Sequence, residues 1–251
     1  MAKAAKRASG SKARAKTRYG RVLFKVSGEA LMGEQSFGID PKMTARIASD
    51  VKQAVGLGVR IALVVGGGNI FRGVALAAKG ADRVTGDHMG MLATVMNAKA
   101  LKMALDDAGM EAVVLSAVDM PAFCETFTQR GLDAHLDAGR VVVFAGGTGN
   151  PFFTTDTAAA LRASEMRADA LFKGTQVDGV YSADPKTDPG AERFDTISHD
   201  EMLARGLKVM DEAAVALARN ASIPIVVFSL EKPGELARVL QGKGRCTTVT
   251  I

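Results

Sequence analysis

The chain has 251 residues, 47% hydrophobic and 24% charged, with nothing approaching eighteen consecutive apolar residues. That is the makeup of an ordinary soluble globular protein of one large or two small domains, and it excludes a helical membrane span. The net charge of +5 is a composite: eight of the 32 basic residues and none of the 27 acidic ones fall within residues 1–21, which leaves a slightly acidic body of 24 against 27.

Residues 1–18 read as a disordered basic tail, rich in Ala, Ser, Gly and Lys and free of acids. Clustered Lys and Arg can attract a phosphate backbone, but a solvated extension without nucleic-acid binding is the plainer reading. The tail lacks the apolar core of a secretory signal; its composition would also suit an organelle transit peptide. Two cysteines, Cys124 and Cys246, are too few for a disulfide framework. With three histidines and no Cys/His cluster, a structural zinc site is not expected, and the thiols are expected to be buried in a reducing compartment.

The first strand is expected over residues 21–27, RVLFKVS. Asp40-Pro41 supplies an N-cap and a helix-initiating proline, for a helix running to about Gly56 and closed by Gly56 and Gly58. RIALVV, residues 60–65, is a near-continuous apolar run, as in a strand buried on both faces of a parallel sheet. It empties into GGGNIFRG, residues 66–73. A long helix is expected over 86–108, with Met89, Leu92, Val95, Met96 and Leu101 near helical spacing. Its methionines read as core filling and His88 as a packed histidine at the helix start.

Residues 112–116 and 140–147 read as strands with a helix between them. Strands over 168–174 and 223–229 follow, separated by helical segments near Asp200 and Asp211, and the terminal CTTVTI can add a closing strand. This alternation predicts a three-layer α/β/α sandwich around a mainly parallel twisted sheet, with residues 19–251 as a single domain. Such sheets bind ligands outside the carboxyl ends of their strands.

Four glycine-bearing loops, KVSGEA, VVGGGNIFRG, FAGGTGNPFFTTD and FKGTQVDG, each begin where a strand ends. Glycine lets backbone N–H groups approach an anion, and a helix N-terminus adds partial positive charge. The P-loop pattern G-x-x-x-x-G-K-[ST], the dinucleotide fingerprint G-x-G-x-x-G and the protein-kinase signatures are all absent. Lys25, in a strand otherwise reading V-L-F-x-V, either edges the sheet or reaches its carboxyl end. Arg72 follows the GGGN turn, and Asp156 opens a helix, where the dipole favours an acid. Asp87 can cap its helix or accept hydrogen bonds from hydroxyls. Two cations and a carboxylate at strand–helix junctions suit phosphoryl transfer, in which positioning and charge neutralisation dominate.

KVSGEAL, GGGNIFRG, GDHMGMLATVMN, GTGNPFFTTDTAA, KGTQVDGVYSADP and LKVMD, in this order, closely resemble the bacterial uridylate (UMP) kinases of the amino acid kinase superfamily, over residues 19–251. The resemblance implies the amino acid kinase fold, its N-terminal part binding mainly UMP and its C-terminal part mainly ATP. It implies the reaction ATP + UMP to ADP + UDP in pyrimidine nucleotide biosynthesis, in the cytoplasm. Gly67, Asp87, Thr148, Gly149, Asn150, Pro151, Phe152, Phe153, Thr154 and Thr155 would hold UMP. Lys25, Val26, Ser27, Gly28, Gly68 and Arg72 would hold the ATP phosphates, and Thr175, Tyr181 and Asp184 the adenine nucleoside. Lys25, Arg72 and Asp156 would be catalytic, with Mg²⁺ held mainly by ATP phosphates and no dedicated protein ligand set.

The resemblance further implies a homohexamer, UTP as inhibitor and GTP as an activator of some members, through a loop formed by Gly33, Glu34, Gln35, Ser36, Phe37 and Gly38, with Arg140. Lys102, Asp106 and Gln129 depart from the residue types found at the effector contacts of other members. Two rival readings remain open from sequence: an amino acid or carbamate kinase on the same fold, and a nucleotide-sensing regulator.

Overall fold

The computed structural model describes residues 17–71, 80, 82–207 and 209–251. Almost all of the basic tail, Arg72 and Lys208 lie outside the described residues. Strand β1 (Arg21–Val26) leads through a single 3₁₀ turn (Gly28–Leu31) and a loop to helix α1 (Pro41–Gly56), then β2 (Arg60–Val65) and α2 (Arg83–Asp107). Next come β3 (Ala112–Ser116), β4 (Glu125–Thr126), α3 (Gln129–Asp137), β5 (Val141–Ala145), α4 (Thr155–Glu165) and β6 (Ala170–Thr175). The last third holds β7 (Thr196–Ser198), α5 (His199–Ala204), α6 (Glu212–Asn220), β8 (Ile225–Ser229), α7 (Glu235–Leu240) and β9 (Cys246–Thr250).

Among the described residues nine strands form one sheet in the order β4-β3-β5-β2-β1-β6-β8-β9-β7. Every pairing is parallel except β8 with β9, so β9 and its parallel neighbour β7 run against the rest. Strand alternation sorts the core into two halves. Val22, Phe24 and Val26 of β1 face a cluster with Ile47 and Val51 of α1, Leu101 and Leu105 of α2, and Leu236 and Leu240 of α7. Leu23 faces the opposite cluster, with Leu132 and Leu136 of α3, four alanines of α4, and Ala214, Val215 and Ala218 of α6. Phe24, Phe172 and Phe228 are fully buried, each stabilising the fold by about 1.5–3 kcal/mol. The expected three-layer architecture is the one observed.

Local details explain where elements begin and end. Asp40 caps α1 by accepting from Lys42 N at 2.8 Å, with Pro41 at the first position, and Gly58 follows in the left-handed region at φ +89°. Helix α2 starts before Gly86, because Asp82 is its N-cap, accepting from Thr85 N at 2.7 Å. Its apolar residues do not all enter the core: Met89, Leu92, Met96 and Met103 are exposed, which corrects the core-filling expectation for those methionines. His88 is likewise exposed. Cys124 and Cys246 are free and only half-buried, and burial pushes both thiols up.

Candidate active site

Strand β1 is the middle strand of the nine, with β2 on one side and β6 on the other. The connections leaving β1, β2, β5 and β6 gather outside their carboxyl ends, the crevice that parallel sheets offer to ligands. Lys25 lies one residue before the end of β1 and pairs in register with Lys173 of β6. Both side chains share the face of Leu23 and Leu171, and the residues are 6% and 8% exposed. Lys25 is therefore neither an edge residue nor a solvated one; its ammonium lies inside the protein at the mouth of the crevice.

Asp156, in the first turn of α4, accounts for this burial. Its Oδ1 lies 2.7 Å from Lys25 Nζ, and its Oδ2 accepts from Lys173 Nζ at 2.6 Å. Thr154 caps the helix, its Oγ1 accepting from Asp156 N at 3.0 Å. Burial alone would raise the Asp156 carboxyl, but the two lysines more than reverse it, and the group sits below the usual carboxylate range. Burial is the largest influence on Lys173 and pulls it below the usual lysine range despite Asp156. Lys173 also donates to the carbonyl of Val209.

The loops after β1 and β2 touch one another. Ser27 Oγ accepts from Ala30 N at 3.3 Å and starts the 3₁₀ turn, while Gly66 N donates to Val26 O at 3.0 Å. A Cβ on Gly28 would stand 2.5 Å from Asn69 Oδ1 and 2.7 Å from the Gly66 carbonyl oxygen, so the close approach requires glycine there. Gly38 N donates to Asn69 O at 2.9 Å, and Asn69 Nδ2 donates to Gly38 O at 2.9 Å. The loop 33–38, expected as a regulatory element, is thus fastened to the GGGN loop, with Phe37 65% exposed at its tip.

Between α2 and the loop after β5 lies a cavity of about 170 Å³. Gly67, Gly68, Asp87, Thr148, Asn150, Phe153, Thr154 and Thr155 of the sequence-predicted set line it, joined by Arg83, Gly90 and Thr94, which sequence reasoning missed. Asp87 does not cap its helix: Arg83 Nε donates to both its oxygens at 2.9 and 2.8 Å, and Phe152 N donates to Oδ2 at 2.7 Å. Phe152 holds φ +72°, a left-handed conformation that costs a non-glycine residue roughly 1–2 kcal/mol. On the far side of the loop, Asp211, the N-cap of α6, accepts from the hydroxyls of Thr154 and Thr157, the latter at 3.0 Å.

A larger cavity of about 560 Å³ opens on the β6 side, lined among others by Lys173, Thr175, Tyr181, Asp184 and Val209. Tyr181 donates its phenol to Asp178 at 2.6 Å, a bond that raises its pKa. Asp184 sits exposed at the rim, accepting from Lys186 N at 2.9 Å. Arg140 is elsewhere: it precedes β5, at the amino end of the strands, and pairs with Glu111 at 3.0 Å. Arg72 is not among the described residues.

Lys173 is the main site residue that sequence reasoning missed, and a signal was present. Both VLFKVSG and ALFKGTQ carry Leu-Phe-Lys just before a glycine-bearing loop, and the sheet sets the two tripeptides in register. The arrangement is two cavities, the larger reaching Lys173 and the smaller reaching Thr155, the residue before Asp156, with a pair of buried ammonium groups bridged by that carboxylate. It can neutralise a phosphoryl group in transit.

The profile of the Amino acid kinase family matches residues 20–229. The chain is 66% identical over 235 residues to a uridylate kinase of Brucella abortus biovar 1 (strain 9-941), covering 94% of this chain and 98% of that protein. It is 65% identical over 231 residues to a uridylate kinase of Mesorhizobium japonicum (strain LMG 29417 / CECT 9101 / MAFF 303099), covering 92% and 96%. Among solved structures, the UMP kinase of Bacillus anthracis superposes with a TM-score of 0.89 at 36% identity, covering 92% of this chain and 96% of that one. The UMP kinase of Ureaplasma parvum gives 0.88 at 34%, covering 93% and 100%.

Proposed function

This chain belongs to the amino acid kinase family, and from that premise we infer that it acts as a uridylate kinase, transferring the γ-phosphoryl group of ATP to UMP to give ADP and UDP. The observation that carries this reading is Asp156 held between Lys25 and Lys173, with the larger cavity lined by Lys173 and the smaller by Thr155. The smaller cavity takes UMP, with Asp87 facing the ribose hydroxyls and the Thr148 to Thr155 loop wrapping the base and phosphate. The larger takes the adenine nucleoside between Thr175, Tyr181 and Asp184. The Lys25 to Gly28 run, Gly68 and Arg72 hold the ATP phosphates. In this assignment residues 19–251 act as one domain, the N-terminal part serving mainly UMP and the C-terminal part mainly ATP.

The chemistry requires no general base. A phosphate monoester has its second pKa near 6, so UMP is largely dianionic at pH 7 and attacks as it stands. An oxygen of UMP forms the new bond to phosphorus as the bond from the γ-phosphorus to the bridging oxygen of ADP breaks. The barrier is repulsion between anions, and Lys25, Lys173, Arg72 and the loop N–H groups offset it. Asp156 keeps both ammonium groups in place.

The residues fit a magnesium ion that arrives on ATP. Both Asp156 oxygens are already shared by lysines, and among the described residues no group of three or more His, Cys, Asp or Glu could hold a metal, so phosphate oxygens would be its main ligands. When bound, the ion neutralises charge on the β- and γ-phosphates.

The same reading extends to assembly and control. A homohexamer is part of this reading, and the exposed Met89, Leu92, Met96 and Met103 on α2 offer an apolar surface for contact between subunits. UTP, sharing the uridine of UMP, would inhibit at the smaller cavity, and GTP would act through the 33–38 loop and Arg140. A cytoplasmic location is part of the same reading; among the described residues no helix is long and apolar enough to cross a membrane. The test is ADP release with Mg-ATP and a panel of UMP, CMP, dTMP, aspartate, acetylglutamate and carbamate, alongside Lys25→Ala. Turnover on UMP, lost in the variant, supports the reading; turnover on a carboxylate or carbamate instead overturns the substrate.

A further inference from the structure

Helix α2 carries two buried polar side chains on its inner face, three residues apart: Thr94, 3% exposed, and Asn97, 0%. Thr94 Oγ1 accepts the backbone N–H of Gly146 at 2.9 Å. Asn97 Nδ2 donates to the carbonyl of Gly66 at 2.6 Å. Gly146 opens the loop after β5 that encloses the smaller cavity, and Gly66 opens the loop after β2 that meets the Lys25 to Gly28 run. Asn97 also exchanges amide hydrogen bonds with Asn69 of that second loop, at 2.6 and 3.0 Å.

The second loop rests directly on the helix backbone, since a Cβ on Gly67 would stand 2.8 Å from the Gly90 carbonyl oxygen. A hydroxyl and a carboxamide removed from water are costly unless bonded, so packing alone does not call for them where Val or Leu would fill the space. Here every bond they make ends on one of the two substrate loops or on the helix itself, where Thr94 Oγ1 donates to Met91 O at 2.6 Å.

We propose that Thr94 and Asn97 are positioning residues that fix the separation of the two loops, and with it the gap across which the γ-phosphoryl group passes to UMP. Residues three apart on a helix share a face and stand about 4.5 Å apart along its axis. The helix is thereby a rigid spacer with one loop pinned at each mark. Transfer needs the reacting atoms within about 3–3.5 Å, and a displacement of about 1 Å costs on the order of 100-fold in rate. Loss of either pin separates the loops without emptying either cavity.

This inference rests on the uridylate kinase reading, and the test separates the two. Wild type, Thr94→Val, Thr94→Ser and Asn97→Leu are compared for steady-state transfer to UMP. Binding of UMP alone and of a non-hydrolysable ATP analogue alone is measured by calorimetry, and thermal melting checks the fold. The expected result is a fall in kcat of about 30- to 100-fold in Asn97→Leu, which borders neither cavity, with both separate affinities within about threefold of wild type; in Thr94→Val, whose side chain also borders the smaller cavity, the fall in kcat exceeds any loss of UMP affinity. Thr94→Ser, which keeps the oxygen, recovers most of the loss. A kcat within about threefold of wild type in both Thr94→Val and Asn97→Leu overturns the proposal. So does a loss that merely follows the separate affinities, or a Thr94→Ser no better than Thr94→Val. No transfer to UMP by the wild type overturns the parent reading, and this one with it.

Discussion

Lys25 and Lys173 occupy the same level of two adjacent parallel strands, and each places its ammonium on a different oxygen of Asp156. Like charges set side by side on one face of a sheet destabilise it, so the carboxylate offsets a conflict that the register creates. Two ammonium groups against one carboxylate leave the cluster suited to the phosphate proposed above.

Two substitutions in this cluster separate by stability. Asp156→Ala strands two buried ammonium groups and is expected to cost about 3–5 kcal/mol, the penalty for breaking a buried pair from one side. Lys173→Met leaves the neutral Lys25–Asp156 pair and melts well above Asp156→Ala. Both lose kcat by about 100-fold or more, because a fixed charge facing the transferred group is gone or misdirected. Melting temperatures in the reverse order would show that the lysines do not repel each other in the folded state.

Two glycines in the crevice differ in what a methyl group would meet. Gly28→Ala presses on the Asn69 side chain and on the backbone of Gly66, whereas Gly174→Ala presses on the Leu230 side chain, which can turn away. Overpacking against backbone costs about 1–3 kcal/mol. Gly28→Ala is therefore expected to raise the KM for ATP at least about tenfold, and Gly174→Ala to change it by less than about threefold. Equal effects would show that the Gly66 to Asn69 loop yields freely.

Acid is expected to act in two stages. His199 is fully buried, neither ring nitrogen has a partner at normal hydrogen-bond geometry, and burial pulls its pKa down, offset only in part by the backbone of Thr250 and Ile223. The unfolded chain then binds the proton first, so stability is complete above about pH 6.5 and declines as pH falls below it. Asp156 adds a second decline below about pH 4, as pH falls toward its lowered folded value. Chemical denaturation from about pH 8 down to about pH 2 checks this, and His199→Leu should flatten the first stage while leaving the second.

Asp211 ties the acceptor loop to α6. Asp211→Ala removes the cap on that helix, worth about 1 kcal/mol, and frees the hydroxyls of Thr154 and Thr157. The expected outcome is a raised KM for UMP with the KM for ATP less affected, and Asp211→Asn, which keeps an acceptor oxygen, should lie between. A rise confined to ATP would argue against the assignment of the smaller cavity.

The central strands were legible as short apolar runs, and β1, β2, β5 and β6 also by the glycine-bearing loops they empty into, whereas β4 and β7 were missed because two and three partly polar residues carry no strand signal. Lys25 could be read as interesting but not placed, since an isolated lysine among apolar residues looks the same at an edge or in a central strand. Its partner Lys173 became visible through register, which a linear sequence does not state. Helix α2 misled because it is apolar on both faces: Leu101 and Leu105 enter the core while Leu92, Met96 and Met103 face outward. Asn97 and Thr94 were passed over for the opposite reason, as polar residues whose burial only the packed loops reveal.

The inner and outer faces of α2 have a further consequence. An α-helix with its side chains is about 10–12 Å across, so Met96 and Met103 on the outside are one helix diameter from the pins that hold both substrate loops. A force on the outer surface needs no relay through the core to reach the reacting groups. A sideways shift of the helix by a fraction of a turn would move both loops together, whereas a tilt would change the gap between them. With the loops assigned as proposed above, the angle of contact on this surface would matter to the gap between them apart from how tightly anything binds there.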